Sequence, residues 1–369
     1  MTLKDVAARA GVSPMTASYT FNRPARVAPA TRDRVRRAAG ELGYRPDAVG
    51  RALKSGRTHQ IGVVFSEHLT YAFDDPQAAQ FLAGVAEVCV EEDRGLTFIP
   101  TRGDAADADR VLSAAVDGFV LWTTAEDDPV LAAIAGDPRP AVIQGGPPRP
   151  GIVCVTQDDY RAALAVAAHG LREGRSPAVI SFPLDRNREH KLTTGANLPP
   201  HVPFPVTDAR LRGYRAAIEQ AGLSWANTPI AVVARNTQRD GLAAARDLAP
   251  QLVPDALIIA MSDELALGAH QALRETHPEA SYLGWDASPA ARRLGITSVT
   301  NPLRDQGRHC ARLALDPGRP YDQEIPWTIT APVRGARPRN EPDAPLEPTT
   351  LPKSDIRGGG GMSDGQRGG

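Results

Sequence analysis

The run Thr2-Leu3-Lys4-Asp5-Val6-Ala7-Ala8-Arg9-Ala10-Gly11-Val12-Ser13-Pro14-Met15-Thr16-Ala17-Ser18 leaves the start of this 369-residue chain few choices. Thr2 followed by Asp5 is a capping-box start. Leu3, Val6, Ala7 and Ala10 recur at helical spacing and make one apolar face. Gly11 sits where a helix ends in a left-handed residue. Ser13 then caps a second helix, and Pro14 takes its first position, where a missing N–H does no harm. Helix, four-residue turn, helix is the geometry that lays a second helix in a DNA major groove.

A third helix is expected after Pro29, with Thr31, Val35, Ala38 and Leu42 on one face and Gly43 at its end. Arg32, Arg34, Arg36 and Arg37 form its outer face. Up to Gln60 there are twelve Lys and Arg against four acids, a surplus of eight, in a chain whose net charge is −1. Such a split is the footprint of a polyanion-binding segment. The alternative is a solvated surface on an ordinary three-helix domain.

Four segments carry a family resemblance: Thr2–Asn22, Val27–Arg32, Leu42-Gly43-Tyr44-Arg45-Pro46, and Ala52-Leu53-Lys54-Ser55-Gly56-Arg57-Thr58. Together they resemble the lac-repressor (LacI/GalR) family of bacterial transcription regulators, and a weaker likeness runs to about Val333. The resemblance implies a homodimer on a near-palindromic double-stranded DNA operator. It also implies a two-lobed, periplasmic-binding-protein-like core that senses a small-molecule effector.

The family's specificity positions fall on Pro14, Met15 and Tyr19. Pro14 and Met15 offer apolar contact to thymine methyls rather than bidentate hydrogen bonds, and Tyr19 offers a hydroxyl. Met15 could instead fill the core, and Pro14 could serve only to start its helix. Thr16, Ser18 and Asn22 suit phosphate or sugar contacts that set register. Pro46–Ser55 resembles the family's hinge helix. A helix this short is marginal alone, and Gly50 costs it a further ~1 kcal/mol relative to alanine. The hinge is therefore expected to order only when two copies pack in the minor groove. Leu53 matches the residue that wedges a base step open; packing on the core is the alternative. The candidate DNA contacts are Thr2, Ser13, Pro14, Met15, Thr16, Ser18, Tyr19, Asn22, Arg32, Gly50 and Leu53.

From Ile61 the pattern alternates. Short apolar runs (Ile61–Phe65, Leu96–Ile99, Gly118–Trp122, Pro140–Ile143, Ile152–Val155, Ala178–Ser181, Ile230–Val233, Ala256–Ala260, Ser281–Trp285) are separated by segments of helical spacing. Repeated βα units predict parallel sheets covered on both faces. About 270 such residues should form two lobes, with ligand in the crevice beyond the strand ends.

Within that crevice Arg210-Leu211-Arg212-Gly213-Tyr214 matches the family's R-L-x-G-aromatic motif, with Arg210 as the ligand clamp. Gly284-Trp285-Asp286 matches its strand end, with Asp286 accepting from ligand hydroxyls or amines. Asp263 is a further candidate, or a helix cap. Tyr71, Phe73, Asp74 and Trp122 are candidate walls. Asn236 and Asn301 stand where relatives place a stacking aromatic and a glutamine. An arginine and an aspartate across an aromatic-walled crevice suit a sugar or related polyol; a salt bridge between the two is the alternative. The candidate ligand residues are Tyr71, Phe73, Asp74, Trp122, Arg210, Asn236, Asp263 and Asp286. Asp185–Asp208, rich in Pro, His and Arg, is an extra stretch, either a disordered loop or a lid.

The expected domains are an all-α helix-turn-helix head (1–45), a hinge (46–58), the two-lobed effector-binding and dimerisation core (59–335) and a disordered Pro- and Gly-rich tail (336–369). Cys89, Cys154 and Cys310 lack metal spacing and read as reduced thiols of a cytosolic protein. No signal-peptide pattern and no apolar run of membrane-spanning length is seen. With no G-x-S-x-G, no phosphate loop and no His/Cys cluster, neither an enzyme nor a cofactor is expected. The alternatives to an effector-controlled repressor are a ligand-independent DNA-bending protein and a solute-binding protein.

Overall fold

The computed structural model describes residues 1–45, 56–65, 73, 75–172, 174–318 and 324–331. Gly50, Leu53, Tyr71 and Asp74, most of the expected hinge and the tail lie outside these.

Three helices build the head: α1 (Leu3–Ala10), α2 (Pro14–Asn22) and α3 (Pro29–Glu41). The capping box is closed: Thr2 N donates to Asp5 Oδ2 at 2.7 Å, and Asp5 N to Thr2 Oγ1 at 3.4 Å. Gly11, at φ 65°, turns the chain through the left-handed region at no steric cost. Gly11–Ser13 separate α1 from α2, a turn one residue shorter than expected. Ser13 Oγ accepts from Thr16 N at 3.1 Å, with Pro14 at the first helical position. Val6, Ala7, Ala17, Val35, Ala38 and Ala39 are the buried apolar cluster, with Leu3, Ala10, Phe21, Leu42 and Tyr44 packed against it.

The first lobe is built on a parallel sheet of β1 (Gln60–Phe65), β2 (Gly95–Pro100), β3 (Gly118–Leu121), β4 (Ala141–Gln144) and β5 (Val153–Val155), in the order β2-β1-β3-β4-β5. Its helices are α4 (Pro76–Glu91), α5 (Ala106–Leu112) and α6 (Pro129–Ala135). The second lobe begins with α7 (Asp159–Leu171), β6 (Pro177–Ser181), β7 (Lys191–Thr194) and α8 (Pro205–Gln220). It continues with β8 (Pro229–Val232), α9 (Gln238–Leu248), β9 (Leu257–Ala260) and α10 (Asp263–Leu273). Then come β10 (Ser281–Asp286), α11 (Pro289–Arg293), β11 (Thr297–Thr300) and, near the end, β12 (Ile329–Thr330). The strand order is β12-β11-β10-β9-β6-β8-β7. The strands pair in parallel except at the edges, where β7 and β12 run antiparallel to their neighbours.

Helix α12 (Leu303–Leu315) returns to the first lobe and packs against α4. A Cβ on Gly84 would overlap the Arg304 carbonyl, and one on Gly307 the Phe81 carbonyl. The two glycines thus let the backbones come together. Among the described residues the chain crosses between lobes after β5, after β11, and along Glu324–Thr328. The crossings touch: Ile325 N donates to Thr156 O at 2.7 Å, and Thr300 N to Thr328 O at 2.8 Å.

The stretch 185–208 is described throughout, and a disordered loop is not what it forms. It supplies the edge strand β7 and, on either side of it, reaches the first lobe. Arg186 Nη2 donates to Asp127 Oδ1 at 2.8 Å, His201 Nε2 meets Glu126 Oε2 at 3.0 Å, and Glu126 N donates to Pro203 O at 2.9 Å. It is a strap joined to both lobes.

Candidate functional sites: the head surface and the interlobe cleft

Helix α2 buries only Ala17 and Thr20. Pro14 is exposed and Met15 is 65% exposed, so Met15 does not fill the core. Ser18 and Tyr19 are half-covered and Asn22 is exposed; Asn22 Nδ2 donates to Ser18 Oγ at 3.1 Å. Thr2 and Ser13 each serve a helix start and remain exposed, while Thr16 is half-covered. Arg32 lies partly covered, with Nη1 3.4 Å from the Pro24 carbonyl. The exposed N-terminal turn of α2 therefore carries apolar and hydroxyl groups, and the basic charge lies mostly outside that helix.

A cleft of about 850 Å³, its open mouth included, lies between the lobes. Trp122, Arg210, Asn236 and Asp286 all line it, so the structure brings these four sequence candidates together. Trp122 packs on Phe65 and Phe81, with ring centroids 5.9 and 5.0 Å away. Arg210 does not pair with Asp286. Its Nε donates to Asp159 Oδ1 at 2.8 Å and its Nη1 to the Met261 carbonyl at 2.6 Å. The guanidinium lies 3.6 Å from the centroid of Trp285. Burial pushes the Asp159 carboxyl up, and the Arg210 charge only partly offsets it.

Asp286 stands at the end of β10 with φ 109°, and Ala287 follows at φ 51°. Both are costly for residues with a Cβ, on the order of 1–3 kcal/mol each. Asp263 explains how the turn persists. Its Oδ2 accepts from Ser288 N at 2.6 Å, and its Oδ1 from Ser298 Oγ at 2.7 Å; that hydroxyl in turn accepts from Ala287 N at 2.8 Å. Asp263 is thus turned away from the cleft lining and pins the backbone that presents Asp286. Nor is it the helix cap: Ser262 Oγ accepts from Leu265 N at 3.1 Å. Desolvation, followed by the charge of Asp263, lifts the Asp286 carboxyl well above the ordinary range. Asn301 Nδ2 donates to its Oδ1 at 3.1 Å; its Oδ2 is closed off and unpartnered.

Asn236 is buried, donates to Asp75 Oδ1 at 3.2 Å and accepts from the Ser262 hydroxyl, so it bridges the lobes. Phe73 is 63% exposed and rests near Phe98, outside the cleft lining. Asp75, Gln144, Gln157, Asp159 and Phe204 line the cleft without having been read from the sequence. Asp75 and Gln144 left a usable signal, Asp75 as a cap-type residue before Pro76 and Gln144 as the residue after the expected strand Pro140–Ile143. Among the described residues no helix is long and apolar enough to cross a membrane, and no group of three or more His, Cys, Asp or Glu could hold a metal ion.

Residues 2–47 match the model of bacterial regulatory proteins of the lacI family, and residues 58–278 that of periplasmic binding proteins and the sugar-binding domain of the LacI family. An HTH-type transcriptional regulator of Mycobacterium tuberculosis is 32% identical, covering 90% of this chain and 96% of the relative. The chain belongs to the LacI family. The ribose operon repressor of Escherichia coli is 30% identical over 85% of this chain and 91% of its own length. The structure of a transcriptional regulator CelR–cellobiose complex aligns with TM-score 0.60 at 27% identity, covering 90% of this chain and 98% of that one. The lac repressor dimer bound to operator shares the fold, with TM-score 0.70 at 19% identity over 89% of this chain and 97% of that one. This LacI-family protein is a DNA-binding transcriptional regulator with an effector-binding domain, in a family that regulates transcription rather than catalysing a reaction.

Proposed function

We propose that this regulator is a cytoplasmic repressor that binds a near-palindromic operator as a homodimer and is controlled by a sugar or related polyol in the cleft. The observation that carries the effector reading is Asp286, held in a strained turn with one carboxylate oxygen closed off and unpartnered at the cleft wall. A rigidly placed acceptor suits a ligand hydroxyl. The cellobiose in the CelR structure and the name of the ribose operon repressor support the sugar class.

On the DNA side, Pro14, Met15 and Tyr19 meet base edges. Thr2, Ser13, Thr16, Ser18, Asn22 and Arg32 meet the backbone. Leu53 and Gly50, as hinge residues, meet the minor groove. The exposure of Met15 supports this assignment. In the cleft Arg210, Asp286, Trp122 and Asn236 meet the effector.

Selection of random duplexes with the purified full chain should return a short inverted repeat, bound about a thousandfold or more tighter than random DNA at physiological salt. No enrichment would refute operator recognition. Tyr19→Ala should relax preference at one base pair per half-site, whereas Arg32→Ala should weaken all sequences alike. Arg210→Ala should keep operator affinity and lose the response to the sugar that modulates the native protein. A normal response would remove Arg210 from the effector site, and no response to any ligand in the native protein would leave a ligand-independent DNA binder.

A further inference from the structure

Gln157 follows β5 at the first crossing. It is 5% exposed, lines the cleft, and both of its amide atoms are closed off without a partner. Gln144 ends β4, is 8% exposed, and also lines the cleft. Its Nε2 donates to Gln306 Oε1 at 3.0 Å, Gln306 Nε2 donates to Asn301 Oδ1 at 2.8 Å, and Asn301 Nδ2 donates to Asp286 Oδ1 at 3.1 Å. The Asp286 carboxyl is the accepting end, so it fixes the direction of every amide in the chain. The last carbonyl, Gln144 Oε1, is left buried and unpartnered. An unmet buried polar atom costs roughly 1–3 kcal/mol, and such atoms are rare in native proteins. Here several line one cleft, and the amide chain ties Gln144 to Asp286.

We infer that Gln144 and Gln157 form a second polar subsite, at the crossover end of the cleft, that selects an uncharged polyol over its phosphorylated or carboxylated counterparts; this rests on the effector reading above. The unmet atoms are two acceptors, Gln144 Oε1 and Gln157 Oε1, one donor, Gln157 Nε2, and Asp286 Oδ2, which accepts when ionised and donates when protonated. Hydroxyl groups, which both donate and accept, meet that set. A phosphate or carboxylate brings acceptors only. Charge points the same way. Asp75, Asp159 and Asp286 line the cleft against Arg188 and Arg210. The charge of Arg210 is already balanced by Asp159, and Arg188 lies 5.7 Å from the centroid of the Phe204 ring. An added anion would sit beside Asp286, whose carboxyl is hydrogen-bonded by Asn301 and not by Arg210, in a partly desolvated space.

The test is calorimetry on the full chain, with D-glucose, D-ribose and D-mannitol set beside glucose 6-phosphate, ribose 5-phosphate and D-glucuronate. The tightest binder should be uncharged, with its charged counterpart at least about thirtyfold weaker. Gln157→Leu should weaken that binder at least about tenfold, because a site built to hydrogen-bond a hydroxyl loses most when the bond is lost. At least one monodeoxy form of the same polyol should be indifferent to Gln157→Leu, a pattern that a general loss of structure would not give. Gln157→Asn, with an unchanged melting temperature, repeats the comparison if the leucine variant does not fold. A charged sugar as the tightest ligand, no binding by any of the six at roughly 10 mM, or equal losses for the polyol and all its deoxy forms would each overturn the subsite. If an uncharged sugar binds through Gln157 but leaves operator affinity unchanged, the subsite stands and the effector reading fails.

Discussion

The apolar cluster of the head has six buried members, none larger than valine, whereas the second lobe closes over Trp285, Tyr214, Ile180 and Ile218. The head compensates at its helix ends, with the Thr2–Asp5 box, the Ser13 cap, and prolines opening α2 and α3. Each such device is worth about 1 kcal/mol. The lobes rely on apolar area instead, at roughly 25 cal/mol per Å². Among the described residues the head has no closed-off side-chain polar atom without a partner, while the cleft has Gln144, Gln157 and Asp286. A large core can carry strained and unmet groups that a small one could not, and those groups are where a ligand gains its hold.

The comparison is tested most severely where the core packs most tightly. Gly84→Ala drives a methyl into the Arg304 carbonyl, which as backbone cannot swing away. The core should lose about 1–3 kcal/mol, seen as an earlier urea midpoint. An unchanged midpoint would mean the helices part at no cost. Asp286→Asn should act in the opposite direction by a smaller amount. A carboxyl whose folded value is raised takes up protons on folding, so its ionised form weakens the fold progressively as pH rises above the ordinary value of 3.8. The amide cannot ionise, yet still accepts from Asn301. The ligand-free variant should melt roughly 2–4 °C higher at pH 8, with that gain shrinking toward pH 4. A gain independent of pH would assign the effect to something other than ionisation. Ser13→Ala is the smallest change, about 1 kcal/mol, and it should fall on the head alone. Amide exchange in α1–α3 should quicken about fivefold, with the core melting unchanged. A matching shift in the core would show that the two regions unfold together.

The head was legible because its determinants are local. Caps, N1 prolines and the apolar face lie within 45 consecutive residues, whereas the turn is one residue shorter than expected and the short helix Pro24–Arg26 was not read. The βα alternation was equally readable, since buried parallel strands are short apolar runs. The edge strand β7 was not, because Lys191 and Leu192 are exposed and its place depends on contacts with β8 and α9. Nor were the cleft partners. Asp159 and Arg210 are 51 positions apart, Asp75 and Asn236 161, and Gln144 and Gln306 162. No spacing rule joins residues so distant. Asp263 shows the limit: its type and position suggested a ligand contact or a cap, and only the backbone geometry reveals a brace.

Among the described residues the three crossings between the lobes lie edge to edge, with Glu324–Thr328 hydrogen-bonded to Thr156 on one side and to Thr300 on the other. Mechanically this is a ribbon, not a cord. A ribbon bends easily across its face and stiffly in its own plane, while the 185–208 strap and the Asn236–Asp75 bond tie the lobes away from it. Gln157 and Asn301 lie on two of those crossings, just after β5 and β11. A displacement there of a fraction of an ångström, multiplied by the length of a lobe, becomes a far larger sweep at its distant end.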